Sequence, residues 1–290
     1  MNLYLESIGF GFITASVLAL SAVGFTMKFA ITNVLNLSFS GAMISSAYIA
    51  YGFNRLGLNI WLCLVLAALY GAVLSYLLNQ FVFRPFQRRN AGVVGMVIVT
   101  LACGLILQNS TLALGGPDNV SYVLNNGPTI NLGPFVFTAL QLAIIALAIA
   151  VMAGIHTLLK FTRLGKSMRA TAANVSLAKA SGIRTERVIA TTWLITGGLC
   201  GIAGTVFGMN SGSFGASSIA LFLVVIIAAA VVGGVGRPYG AMVGALLIGV
   251  VMEFSATVVT SDYKEAVAFI ILLLVLALRP DGILTRSARS

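Results

Sequence analysis

Apolar runs long enough to cross a lipid bilayer recur along almost the whole of this sequence. A helical span needs about 20 mostly apolar residues. Nine segments are candidates: 7–28, 33–53, 59–83, 91–114, 135–159, 188–209, 218–235, 239–259 and 264–279. Composition agrees. Soluble domains usually carry about 25% charged residues, whereas here charged residues make up 8% and hydrophobic ones 59% of 290. That balance argues strongly against a water-soluble enzyme. In lipid only helices and closed barrels satisfy their own backbone. Barrel strands alternate polar and apolar residues, and these runs are continuous. The expectation is therefore an all-α polytopic membrane protein, one domain over residues 1–290. It is a bundle of eight or nine transmembrane helices with room for broken or re-entrant segments.

Two places invite such irregularity. Asn33, Asn36, Ser38, Ser40, Ser45 and Ser46 interrupt the second run. This makes it the weakest span and a candidate lining for a polar path, with Asn33, Asn36 and Ser40 as the residues to watch. The seventh and eighth runs are joined by a very short Gly-rich link. The first run is preceded by Glu6 and by no Lys or Arg, unlike the basic start of a signal peptide, so it reads as a retained span.

The formal net charge is +10. The basic residues sit between apolar runs, which suits the positive-inside rule better than nucleic-acid binding. Arg84, Arg88 and Arg89 follow the third run. Lys160, Arg163, Lys166, Arg169, Lys179, Arg184 and Arg187 follow the fifth, and Arg279, Arg286 and Arg289 follow the last. These stretches are expected in the cytoplasm. Residues 115–134 contain Asp118 and no Lys or Arg, so they are expected outside. Nine crossings then place the N-terminus outside and the C-terminus inside, with Arg55 and Lys264 as exceptions. An eight-span arrangement would put the N-terminus inside or reduce one segment to a half-span.

Little in the chain resembles catalytic chemistry. Cys63, Cys103 and Cys200 lie in apolar runs without metal-ligand spacing and read as small buried hydrophobes, so no metal is expected. Gly165-Lys166-Ser167 looks like the end of a phosphate-binding loop. That motif needs a further Gly where Lys160 stands, after a buried strand. ATP hydrolysis by this chain is not expected, nor a cofactor of its own. Ion-coupled carriers keep ionisable groups inside the bundle. Glu253 is the best interior candidate here, equally readable as a structural hydrogen-bond partner or a pathway residue. Lys28 and Glu6, near run ends, are expected to snorkel to the interface, and His156 to pack at an interface.

Gly197, Gly201, Gly204 and Gly208 share one helix face, and Gly236, Gly240 and Gly244 repeat every four residues. Such stripes allow close backbone approach, in static packing or at a sliding interface. The most specific feature is the segment 160–187. From Ser167 to Ser181 it is Ala-rich and free of Pro and Gly, which favours one short helix, and Gly182 is a natural stop. Its mixed face suits lipid headgroups or a groove on a partner. Partner docking is the sharper expectation for a chain with no motor.

Four stretches together resemble a known family. These are Asn33-Val34-Leu35-Asn36-Leu37 with Gly41 and Ala47-Tyr48, and Gly165 to Thr171 continuing through Asn174 and Ala178 to Ser181-Gly182-Ile183. The others are Gly233 to Gly236 with Gly240 and Gly244, and Glu253 with Arg279-Pro280-Asp281-Gly282. They are similar, in order and from about residue 10 to 286, to the permease subunits of ABC importers for branched-chain amino acids of the LIV-I type. Ser40 and Ser176 depart from the family's frequent Gly and Glu, as does the lack of an acidic residue near Gly41. Relatives also carry urea, short amides and other amino acids.

The resemblance implies a multi-pass subunit of the bacterial inner membrane, forming the path for branched-chain or related amino acids. It implies a second permease subunit, two ATPase subunits carrying ATP and Mg, and a periplasmic substrate-binding protein. It assigns coupling to the ATPase to Arg169, Ala170, Asn174, Ala178, Lys179 and Gly182. The rival expectation is a secondary carrier or channel for small polar solutes.

Overall fold

The computed structural model describes residues 2–89, 91–125, 127–132, 135–258, 263–278 and 282. The architecture is all-α and polytopic. Helix α1 spans Asn2–Thr32, α2 Phe39–Arg55 and α3 Ile60–Leu77. A π-helical turn over Leu78–Phe83 joins α3 to the short α4, Arg84–Arg88. Then come α5 (Val93–Gly115), α6 (Ala139–Phe161), α7 (Arg163–Ala173), α8 (Val175–Ala180) and α9 (Thr185–Ser211). The last three are α10 (Ser218–Gly233), α11 (Pro238–Val258) and α12 (Lys264–Leu278).

Among the described residues, six helices are long and apolar enough to cross a membrane, beginning at Ser7, Ile60, Val93, Ala139, Thr185 and Pro238. The other apolar helices, α2, α10 and α12, have 17, 16 and 15 residues. Helices α2 and α10 are shorter than the runs that suggested them, because polar residues or glycines cut them. Asn33 to Ser38 precede α2 outside any helix, and Gly234 to Arg237 form the turn between α10 and α11. The described residues thus hold six long helices and three shorter apolar ones, which leaves the expected eight or nine transmembrane helices unconfirmed. Arg279, Pro280, Asp281, Arg286 and Arg289 lie outside the described residues.

Helix α1 runs through the centre and pairs antiparallel with α11. Gly11 sits against Val250, Gly249 against Ala15, and Gly236 lies 3.9 Å from Ala30 (as the distance a Cβ would have). Helix α9 packs on α3 through Gly197 and Gly201, and on α2 through Gly204. Small residues at these seams let backbones meet where the hydrophobic effect supplies no drive between helices.

The two ends of the bundle differ in character. At one end Val120 and Phe214 exchange two backbone hydrogen bonds of 2.9 Å, and the Asn54 side chain accepts from Val123 N at 2.7 Å. At the other, Arg84 bonds Glu186, Arg169 bonds the Leu159 carbonyl, and Gly282 lies against Gly234.

Three local expectations change. Phe135–Thr138 form a strand, paired antiparallel with Thr129–Leu132, where the fifth run suggested helix. The rings of Phe135 and Phe137 pack over Gly9 of α1, and aromatic residues suit a pleated, half-buried surface. Thr138 then starts α6 with a capping box shared with Gln141. The single helix expected over Ser167 to Ser181 is two helices. Asn174, at φ −160° and ψ 110°, leaves the helix, and its side chain accepts from Leu177 N to cap α8. An Asn side chain that competes for backbone donors favours caps over helix interiors. The third change is at Gly236, which precedes α11 and does not share the helix face of Gly240 and Gly244. It occupies the turn before α11 at φ +84°, while Gly233 faces Gly240 and Gly244 across the α10–α11 contact.

Candidate translocation and coupling sites

The first site is the break between α1 and α2. Asn33 stops α1 in the left-handed region, at φ 51°, the only described non-glycine residue there, and it is exposed. Asn has a short polar side chain that tolerates this conformation better than most. The chain then runs unwound to Ser38. Asn36 is 4% exposed, and its Oδ1 accepts from Ser38 N at 3.1 Å and Ser38 Oγ at 2.5 Å. Its amide nitrogen has no partner among the described residues. The half-buried Ser40 donates to the Leu37 carbonyl. Gly41 and Leu37 pack against Gly104, halfway along α5, which sets the break deep in the bundle. Non-helical backbone at such depth is tolerated only inside protein or along a cavity. The second run is interrupted as expected: Asn33 and Asn36 lie on the unwound stretch, and Ser40 lies in the first turn of α2.

Beside the break lies a residue that the sequence placed wrongly. Lys28 does not snorkel. It is 2% exposed and has no ion pair among the described residues. The first apolar run ends at residue 28, but α1 continues a further turn to Thr32, so Lys28 lies inside the helix and not at its end. Its Nζ donates to Ser75 Oγ at 2.7 Å and lies 4.6 Å from the Trp193 ring centre and 5.5 Å from that of Phe39. Trp193 stacks on Phe83 of the π-helical turn at 5.1 Å, and its Nε1 has no partner among the described residues. Ser75, Trp193 and the buried Asn79 were likewise not singled out. The signal in the sequence is a lysine followed by four more helix-compatible residues before the polar break at Asn33.

The second site is the element α7–α8, which ends at Gly182. Arg169 is tied to the Leu159 carbonyl, fastening α7 to the end of α6. It also lines a cavity of about 500 Å³ with Met27, Met168, Arg237 and Tyr239. Ala170 is half-buried, and Asn174, Lys179 and Gly182 are exposed. Ala178 is 3% exposed, so it seats α8 on this chain and offers nothing to a partner directly. The outward apolar side chains are Val175 and Leu177. Gly182, at φ +81°, closes α8 in the left-handed conformation. The Gly182 N–H donates to the Lys179 carbonyl, and that of Ile183 to the Ala178 carbonyl, both at 3.0 Å. A polar cleft of about 200 Å³ lies alongside, between Lys179, Gln80, Arg84 and Glu186.

Glu253 joins neither site. It accepts from Thr14 Oγ1 at 2.8 Å and from Lys264 Nζ at 2.6 Å, tying α11 to α1 and α12. Of the two readings open for it, structural partner is the one this geometry fits. Gly208 packs against Phe214 and Tyr122 at the end of α9 that carries the Val120–Phe214 bridge. His156 makes edge-on ring contacts with Phe161 and Tyr239, as a packing residue does. Among the described residues no group of three His, Cys, Asp or Glu could hold a metal.

The sequence matches the family described as branched-chain amino acid transport system / permease component over residues 7–276. It is 30% identical to the high-affinity branched-chain amino acid transport system permease protein BraD of Pseudomonas aeruginosa. That alignment covers 98% of this chain and 96% of the relative. It is 28% identical to the corresponding permease protein LivH of Salmonella typhimurium, with the same two coverages. It is 25% identical to the permease protein LivM of Escherichia coli over 90% of this chain and 66% of that relative. A match this long takes in both the break at Asn33–Ser38 and the α7–α8 element, and the chain belongs to the family of branched-chain amino acid transport permease components.

Proposed function

We propose that this chain lines the path for branched-chain or related amino acids in an ATP-driven importer and has no catalytic residues of its own. The path passes the unwound segment between α1 and α2 at Asn36 and the first turn of α2 at Ser40. A second permease subunit completes it, and the chain's similarity to both LivH and LivM is consistent with a pair of related permeases. ATP and Mg are held by two separate ATPase subunits, and a periplasmic protein delivers substrate. No cofactor binds this chain.

The observation that carries the coupling half of this reading is α7–α8. It is a capped two-helix element lying outside every long apolar helix, with Val175 and Leu177 exposed beside a polar cleft. Docked there, an ATPase subunit moves the ends of α6 and α9 when it closes on ATP. Transport follows only if the docked states differ in free energy between the two conformations of the bundle. The basic end of the bundle faces the cytoplasm in this reading, together with the C-terminus, and residues 115–134 face outward. The short helices α2, α10 and α12 then complete nine crossings of the bacterial inner membrane.

The test is a mild-detergent pull-down of the tagged chain from its native membrane, followed by reconstituted leucine uptake. ATPase subunits and a second permease should accompany the chain, and uptake should require ATP. Uptake that survives loss of the ATPase and collapses with a protonophore would favour a secondary carrier.

A further inference from the structure

Lys28 presents an electrostatic problem that the described residues leave open. A charge inside a membrane bundle is expensive and is normally paired. The described acidic groups with ion pairs are engaged elsewhere, Glu186 with Arg84 and Arg88, and Glu253 with Lys264. The rings of Trp193 and Phe39 offset part of the ammonium's desolvation, and Ser75 occupies one of its three donor positions. Two further donors have no partner among the described residues, Trp193 Nε1 and the amide of Asn36, which precedes Phe39 by three residues. Both residues are buried, at 3% and 4% exposure. Asn36 is bound to Phe39 through its backbone carbonyl at 3.3 Å, so it belongs to the same group. The cluster therefore has a positive charge and surplus N–H donors, and it lacks acceptors. Helix α2 also begins at Phe39, and its positive end adds to the same imbalance.

We propose that Lys28, Trp193 and Asn36 form the subsite that receives the carboxylate of the transported amino acid. The proposal rests on the transport reading above and deepens it. A carboxylate offers about four acceptor positions and one negative charge, which answers the imbalance. The walls suit the rest of a branched-chain substrate, since the Phe39 and Trp193 rings face the ammonium, with Phe25 packed on Phe39 and Phe83 on Trp193. With Lys28 buried, the substrate reaches it only when α1, α3 and α9 part. Glycines line the seams that would open, Gly24 against Leu199 and Gly71 against Gly197. Trp193 also connects the subsite to the coupling end, because it stacks on Phe83, next to Arg84 and its Glu186 partner.

The experiment is thermal unfolding of the detergent-purified complex, without its binding protein, at fixed ionic strength. The ligands are leucine, 4-methylpentanoate, leucinamide and chloride. A ligand that binds only the folded state raises the midpoint. Leucine and 4-methylpentanoate should raise it, and leucinamide and chloride should not. Lys28→Met should abolish the rise. Trp193→Phe, which keeps a ring on Phe83 and removes one donor, should weaken carboxylate affinity about tenfold. Equal shifts with leucinamide or chloride, no shift with the carboxylates, or an undiminished shift in Lys28→Met would each overturn the assignment. If Lys28→Met does not assemble, the wild-type ligand series and Trp193→Phe decide the matter. Failure of ATP-dependent uptake would instead remove the transport reading, which this ligand series does not measure.

Discussion

Replacing Gly182 isolates backbone strain from packing. The residue sits at φ +81°, and a Cβ built there meets no atom within 4 Å, so any effect of a small side chain comes from its dihedral angles alone. An L-residue in the left-handed region loses about 1–2 kcal/mol relative to its preferred conformation. Gly→Ala also restricts the unfolded chain, which offsets about 0.4–1 kcal/mol. The net destabilisation for Gly182→Ala is then about 1 kcal/mol, and it falls on the cap of α8. It loosens the bonds from Gly182 N to Lys179 O and from Ile183 N to Ala178 O. One kcal/mol multiplies the open population of that cap about fivefold. Hydrogen exchange at Ser181 to Ile183 should therefore accelerate about fivefold in Gly182→Ala, more in Gly182→Val, and least in Gly182→Asn, because Asn tolerates the left-handed region. The midpoint of global unfolding should barely move, since α8 is peripheral. ATP hydrolysed per leucine transported should rise in the same order, Val above Ala above Asn. Wild-type exchange in Gly182→Val, or Asn behaving as badly as Val, would refute the cap argument.

Three other perturbations probe different parts of the molecule. Glu253→Gln keeps an acceptor for Thr14 and loses the charge opposite Lys264; it should lower stability by about 1 kcal/mol at low salt and leave the KM for uptake unchanged. A salt-independent midpoint equal to the wild type would contradict that. In Gly201→Leu the new Cβ would lie 2.9 Å from the Ala68 Cα of α3, and backbone cannot yield as a side chain can. The loss should reach or exceed the upper part of about 1–3 kcal/mol, visible as reduced monodisperse yield in size-exclusion chromatography. Tyr122, in the loop before the hairpin, donates to the Ala47 carbonyl at 3.0 Å, and burial pushes its hydroxyl above the ordinary value of 10.0. Above pH 10 the unfolded chain ionises this group while the folded one stays neutral, so stability falls as pH rises. Tyr122→Phe should be less stable than wild type at pH 8 by about 1 kcal/mol and should lose less between pH 8 and 11.

The reading from residues succeeded where lipid leaves few choices. Continuous apolar runs become helices because no other open backbone satisfies itself in a bilayer. Asn33, Asn36 and Ser38 interrupt such a run, and the helix does break there. Most of the basic, Ala-rich segment 160–187, residues 162–184, lies between the long helices α6 and α9, as its charges require. Periodicity also identified the Gly197–Gly201 face, which meets α3 closely.

What only the tertiary structure decided is which groups face one another. The burial of Lys28 depends on Ser75, 47 residues away, and on rings from α2 and α9. The role of Glu253 depends on Thr14 from the opposite end of the chain. Gly236 repeats the spacing of Gly240 and Gly244, yet it lies in a turn, because the helix register starts after it. Asn174 divides one expected helix in two by capping the second half. The physical reason is common to all four. A sequence states which residues share a face of their own helix, and lipid enforces that the helix forms. The cost of a buried charge, or the fit of a glycine, is set by neighbours from other helices, and only the packed bundle specifies them.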